Sequence, residues 1–135
     1  MYTHQKEYHR ANAVALQGTG VKTTFSPGVR PFKLRSVAVV VTLQNTVTPP
    51  VLTIKRRPTA GSATGEVTVT TLTVPLARLP GEIVYKNGLD ETVSPGEQLV
   101  ADLTTASTAG AGDIVLEFDP KWDQLTNNAK AYASA

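Results

Sequence analysis

Short runs in which every second residue is apolar, cut by turn residues, restrict this chain to a β fold. The clearest stretch lies between Asp90 and Trp122. Ser94-Pro95-Gly96 forms its first turn, proline presetting one corner and glycine accepting the positive φ of the next. From Gln98 to Thr105, Leu99, Ala101 and Leu103 share one side. Thr108 to Gly112 is too rich in glycine to hold a strand. Ile114, Leu116 and Phe118 then share a side, and Pro120, which has no N–H to give a ladder, stops the run. The two runs are expected to pair antiparallel, with one face in a core.

The same grammar extends upstream. Ala13 to Gln17 and Val21 to Phe25 are short strand candidates, and Ser26-Pro27-Gly28 repeats the later turn. Phe32 to Leu43 is the strongest strand. Its apolar side changes near Ser36, which predicts a bulge or a crossing between sheets. Val51 to Lys55 follows, closed by Arg56-Arg57-Pro58. Glu66 to Val74 alternates and is rich in threonine, which suits a half-exposed pleated surface. Pro75 and Pro80 bracket a connector over Leu76 to Leu79. Ile83 to Tyr85 leads to Asn87-Gly88, a hairpin signal. About eight strands with turns every 8–12 residues predict an all-β, two-sheet antiparallel sandwich. Strand number and long connections favour the jelly-roll type. The expected organisation is an N-terminal arm over 1–12, a sandwich domain over 13–122 and a C-terminal tail over 123–135.

A chain of 135 residues is expected to form one domain and bury roughly two-thirds of its unfolded surface. It has no cysteine, which removes disulfides and thiolate zinc sites from its chemistry. The longest apolar run, Val37 to Val41, is far too short to span a bilayer. The polar start MYTHQKEYHR does not read as a signal peptide, so synthesis in a reducing cytoplasm and no membrane partner are expected. Net charge is only +2, but residues 1–65 hold nine Lys/Arg against one acid, while residues 66–135 hold four against ten. Such a split predicts either contact between oppositely charged surfaces of neighbouring molecules, or mixing of the two signs as strands interleave.

No catalytic constellation is visible, and no enzyme activity or cofactor is expected. His4 and His9 match neither a helix face nor a strand pair, and neither has an oriented partner in sequence. Ser26 and Ser94 belong to turns. Asp113, Glu117, Asp119 and Asp123 read as a solvated acidic face, because the alternating ligands of a dedicated calcium loop are missing. Neither Gly18-Thr-Gly20 nor Gly110-Ala-Gly112 fits a phosphate cradle. Lys55-Arg56-Arg57 is the densest basic run, but aromatics for base stacking are sparse, so nucleic-acid contact is not expected. Tyr85 and Trp122 are the only candidate platforms for a sugar.

The segment Val93 to Pro120, VSPGEQLVADLTTASTAGAGDIVLEFDP, resembles a "PGD/E-x-L … T-x-A-G-x-A-G … V … P" pattern of β-sandwich virion proteins of tailed bacteriophages. Size, threonine content and polar ends resemble the jelly-roll capsid cement (decoration) proteins. The resemblance covers about a quarter of the chain. It implies a non-enzymatic protein on the outside of a phage head that clamps neighbouring major capsid subunits, as a dimer or trimer. A phage tail, neck or fibre module and a carbohydrate-binding β-sandwich are the alternatives. The family has no shared binding motif to carry over. The candidate interface residues are therefore the basic Arg30, Lys33, Arg35, Lys55, Arg56 and Arg57, with Tyr2, Tyr8 and Trp122. The expected core is Leu34, Val40, Leu52, Ile54, Val67, Val69, Leu99, Leu103, Ile114, Leu116 and Phe118.

Overall fold

A computed structural model describes residues 6–120 of the chain. These form nine strands: β1 (Glu7–Ala15), β2 (Gly20–Phe25), β3 (Phe32–Leu43), β4 (Val51–Arg57), β5 (Val67–Thr73), β6 (Ile83–Lys86), β7 (Glu91–Val93), β8 (Gln98–Thr105) and β9 (Ala111–Pro120). Sheet A runs β1-β9-β3-β6, with β7 also on β3, and sheet B runs β2-β8-β4-β5. All pairings are antiparallel and nested: β4 with β5, β3 with β6 and β7, β2 with β8, β1 with β9. The chain is one long folded-back hairpin wrapped into two sheets, which is the jelly-roll arrangement.

Nesting changes some local expectations. β8 and β9 lie in different sheets, so the runs at 98–105 and 113–119 do not pair with each other. Asn87-Gly88 closes no hairpin either. β6 pairs Val37–Val40 and β7 pairs Phe32–Leu34, so the dipeptide steps the chain along one edge of β3. Leu89 N–H meanwhile donates to Arg35 O at 3.0 Å. The segment expected to be an arm through residue 12 is, from Glu7 onward, strand β1 on β9. Tyr2, His4, Trp122 and the expected tail over 123–135 lie outside the described residues.

The core confirms the phase of β8 and β9. Leu99, Ala101, Leu103, Ile114, Leu116 and Phe118 are all buried, as are Leu34, Leu52 and Ile54. On β3 the register slips between Leu34 and Ser36, so the extra residue Arg35 turns the strand over. Val37, Val39 and Val41 then face inward, and Val40 is only half-buried. On β5 the slip falls opposite Ile54/Lys55. Thr70, Leu72 and Val74 are buried, Val67 is 50% exposed, and Val69 is half-buried against the core. Val40 and Val67 are thus corrections to the expected core: the β3 bulge shifts a period-two pattern by one residue and turns Val40 outward, whereas Val67 pairs with Arg56 at the end of edge strand β5 and is left open to solvent there.

Two glycines are fixed by close approach. A Cβ on Gly112 would lie 2.6 Å from Val39 Cγ1, and one on Gly110, at φ 120°, would lie 2.9 Å from Asn45 Cβ. The glycine-rich stretch before β9 is therefore where β9 presses onto β3 and the following connector. Phe25 of β2 stacks on Phe118 of β9 with centroids 4.1 Å apart, and Phe32 meets both edge-on, joining the two sheets.

This packing sets a contrast for chemical denaturation. Leu116→Ala should lower the unfolding free energy by about 2–5 kcal/mol. Val67→Thr, at the exposed end of edge strand β5 and still a good strand former, should stay within about 0.5 kcal/mol. Equal effects would show that the strand phases are misassigned.

Candidate functional site

Alternation that sends Val37, Val39 and Val41 inward sends their neighbours to the outer face of sheet A. Registers place Tyr8 beside Glu117 and Ser36, then Arg10 beside Val115, Ala38 and Tyr85, then Asp113 beside Val40 and Ile83. One half of this face is ionic. Lys6 Nζ pairs with Glu117 at 3.0 Å, Arg10 Nη2 with Asp113 at 2.6 Å, Arg35 Nε with Asp119 at 2.7 Å and Lys33 Nζ with Asp90 at 2.8 Å. A groove of about 690 Å³ runs among Lys6, Arg35, Asp90, Glu117 and Asp119. The other half is apolar, with Ile83 58% and Tyr85 64% exposed.

Other cations among the described residues are also used within the chain. Arg30 reaches Glu7 at 3.2 Å and lies over the Phe32 ring. Lys55 contacts Asp102 and Glu66, and Arg57 contacts Glu66. Arg56 of β4 donates to Glu91 of β7 at 2.8 Å and to Glu97 at 2.9 Å, so it spans from sheet B to sheet A. Glu97 in turn accepts from Ser94 N–H at 2.8 Å, holding the Ser-Pro-Gly turn. The structure therefore places all six basic candidates in intramolecular ion pairs. Hydrogen bonding to Asp102 raises the pKa of Lys55, and hydrogen bonding from Arg57 lowers that of Glu66. Tyr8, 61% exposed, remains outward on sheet A.

Two titratable groups near the β1 edge are structural. Asp113 accepts from Ala13 N–H at 2.7 Å at the β1 bulge and from Arg10, and the backbone donor, then Arg10, holds its pKa below the ordinary carboxylate value. His9 of β1 hydrogen-bonds Thr23 of β2 at 2.8 Å and meets Phe25 edge-on. Burial there lowers its pKa. Among the described residues no group of three or more His, Cys, Asp or Glu could hold a metal ion, and no helix is long and apolar enough to cross a membrane.

A second surface escaped the sequence reading. At one end of the sandwich the last residues of β3 and the β3–β4 connector are tied to the β5–β6 connector: Ala77 N–H donates to Asn45 O at 3.0 Å, Val74 N–H to Pro50 O at 2.9 Å and Gly81 N–H to Val41 O at 2.7 Å. Leu43, Val47, Leu76 and Leu79 from these segments are 54, 59, 40 and 59% exposed. Glu82 accepts from Leu79 N–H at 3.1 Å and from Arg78 at 3.1 Å; the backbone donor comes first in lowering its pKa. Ala77 sits at φ 62°, a left-handed conformation that costs a non-glycine residue roughly 1–2 kcal/mol. The connector is thus a fixed, strained turn presenting leucines to solvent. Its signal in sequence is two leucines, Leu76 and Leu79, inside a Pro-bracketed loop.

No family model matches the sequence, and no curated protein matches it. The chain is similar to a solved protein of Bacillus endospore appendages, described as a family of disulfide-linked pili: 19% identity, 87% of this chain and 86% of that one, TM-score 0.42. It is also similar to infectious bursal disease virus VP2 in a subviral particle, at 12% identity over 91% of this chain and 43% of that one, TM-score 0.29. A T=1 particle derived from infectious bursal virus gives 12%, 91%, 40% and 0.29 in the same terms. This chain spans less than half the length of those particle proteins. Likenesses of this size do not identify a partner.

Two measurements check the site. Arg56→Ala should destabilise the fold by about 1–3 kcal/mol, because it removes two charge-assisted hydrogen bonds, one across the sheets to Glu91 and one to Glu97 of the Ser-Pro-Gly turn; an unchanged denaturation midpoint would remove the clasp. His9 has a folded pKa below its unfolded value, so its contribution is complete above about pH 6.5 and fades as pH falls through the folded pKa. Stability should therefore drop as pH falls below about 6.5, and His9→Asn should flatten that part of the profile. An identical profile in the variant would contradict the assignment.

Proposed function

We propose that this chain is a structural virion protein: a capsid cement protein that binds the outer surface of a bacteriophage head and stabilises contacts between major capsid subunits. It acts by docking, not by chemistry. The observation that carries this reading is the strained, hydrogen-bonded connector that presents Leu76 and Leu79 beside the segment bearing Leu43 and Val47. Apolar side chains held rigidly outward bind with little ordering cost, and a cluster of them marks an interaction site. The resemblance of Val93 to Pro120 to phage sandwich proteins supplies the kind of partner. The six basic candidates act inside the fold in this reading, so the capsid contact is apolar rather than ionic.

The test adds purified protein to phage heads that lack it and measures co-sedimentation. Binding should saturate at a fixed ratio to the major capsid protein and change little with salt, since it does not depend on exposed charges. Leu76→Ser/Leu79→Ser should keep the unfolding midpoint and weaken binding at least about ten-fold, because a buried leucine is worth roughly 1.5–3 kcal/mol. Absence of binding to heads, with binding to phage tails or to free sugar instead, would replace this reading with a tail module or a carbohydrate-binding one.

A further inference from the structure

We propose that Asn87 is a site of spontaneous covalent modification, at which the side-chain amide closes onto the Gly88 nitrogen and opens again as an acid. Three asparagines lie among the described residues, Asn12, Asn45 and Asn87, and their surroundings differ. Asn45 is 1% exposed and precedes Thr46, whose branched Cβ crowds its own nitrogen. Asn12 is exposed, but the nitrogen that would attack it is held. Ala13 N–H donates to Asp113 Oδ1 at 2.7 Å, and Asn12 Oδ1 accepts from Arg10 Nε at 2.8 Å. Asn87 has neither restraint. It and Gly88 are exposed, sit in the step between β6 and β7, and have no hydrogen-bond partner among the described residues. Gly88 has no Cβ to shield its nitrogen, and the space where one would stand is open.

The reaction needs only water and hydroxide. Hydroxide removes the Gly88 amide proton. The nitrogen attacks Asn87 Cγ, a C–N bond forms, and the side-chain nitrogen leaves as ammonia with a proton from water. Water then adds to either carbonyl of the cyclic imide and a C–N bond breaks, giving an aspartyl or an isoaspartyl residue. In balance, a water is consumed and an ammonia released. Both products put a carboxylate on the groove that Asn87 lines with Asp90, Glu117 and Asp119, so like charges accumulate there. The isoaspartyl form also lengthens the main chain by a methylene, at the step seated on β3 by the 3.0 Å bond from Leu89 N–H to Arg35 O. Sheet A therefore carries an irreversible change at its edge that grows with the age of the molecule. This inference goes beyond the capsid assignment, because it concerns the protein alone.

The experiment incubates the purified full chain at neutral and at alkaline pH, native and in urea, then digests it with trypsin and follows the peptides by mass spectrometry. Cleavage after Lys86 leaves Asn87 as the sole asparagine of the peptide running to Lys121. This peptide should gain the mass difference between an amide and a carboxylic acid and split into aspartyl and isoaspartyl isomers. Conversion should be faster at alkaline pH. In the native chain it should run within about ten-fold of its rate in urea, because an exposed step is open without unfolding. The peptides of Asn12 and Asn45 should stay unchanged over the same time in the native chain. Asn87→Gln should abolish the conversion. Gly88→Ala should slow it at least about ten-fold by shielding the nitrogen, in urea as well, where the strain of an alanine at φ 74° plays no part. A native Asn87 that lasts as long as native Asn45, or an Asn12 that converts as fast as Asn87, would overturn the inference.

Discussion

The β3–β9 ladder is the constraint on which the rest of this structure depends. It is the longest pairing in the fold, running from Phe32 opposite Pro120 to Leu43 opposite Ala111. The slip at Arg35 within it decides which residues become core. Without that extra residue Val37, Val39 and Val41 would face solvent and the sandwich would lose one wall. With it they meet Ile114, Leu116 and Phe118 as parts of one apolar interior. The same slip turns Arg35 outward to Asp119 and Asp90. It also leaves Ala38, Val40 and Val115 together on the outer face.

Nested pairing also explains the charge layout. A folded-back hairpin must set strands from the first half of the chain against strands from the second. The basic half and the acidic half are therefore brought together within one molecule: Arg10 with Asp113, Arg35 with Asp119, Lys55 with Asp102, Arg56 with Glu91 and Glu97. Most of these pairs are partly solvated, and each such pair contributes little alone, about 0–1 kcal/mol. Arg56 differs because it joins the sheets. A charge asymmetry along the sequence, which suggested an ionic partner, is consumed by the topology. Apolar side chains stay outward on the connector end and on sheet A.

Much of this was legible in sequence. The runs containing Leu99 to Leu103 and Ile114 to Phe118 carry their phase without interruption, and the change of side near Ser36 announced a real bulge. Val69 misled because it lies at a bulge marked by no glycine or proline and set by pairing with β4, and Val67 because the open end of an edge strand leaves no trace in a period-two pattern. β7 has three residues, too few for a periodic signal. Asn87-Gly88 carries turn chemistry in either case, and only the shared partner β3 decides that it is a step rather than a hairpin. The outward leucines were visible as letters, but their significance lies in hydrogen bonds between two connectors far apart in sequence. The ion pairs were unreadable for the same reason.

The central claim is that this protein meets its partners through apolar surface left outside a charge-satisfied sandwich. Hydroxyl-radical footprinting of side chains, in dilute free protein and on assembled heads, tests it most directly. The account predicts that Leu76 and Leu79 lose reactivity on assembly. Val29, which is 97% exposed and lies outside that connector, should keep its reactivity. Unchanged reactivity at both leucines, with protection appearing elsewhere on the sandwich, would contradict it.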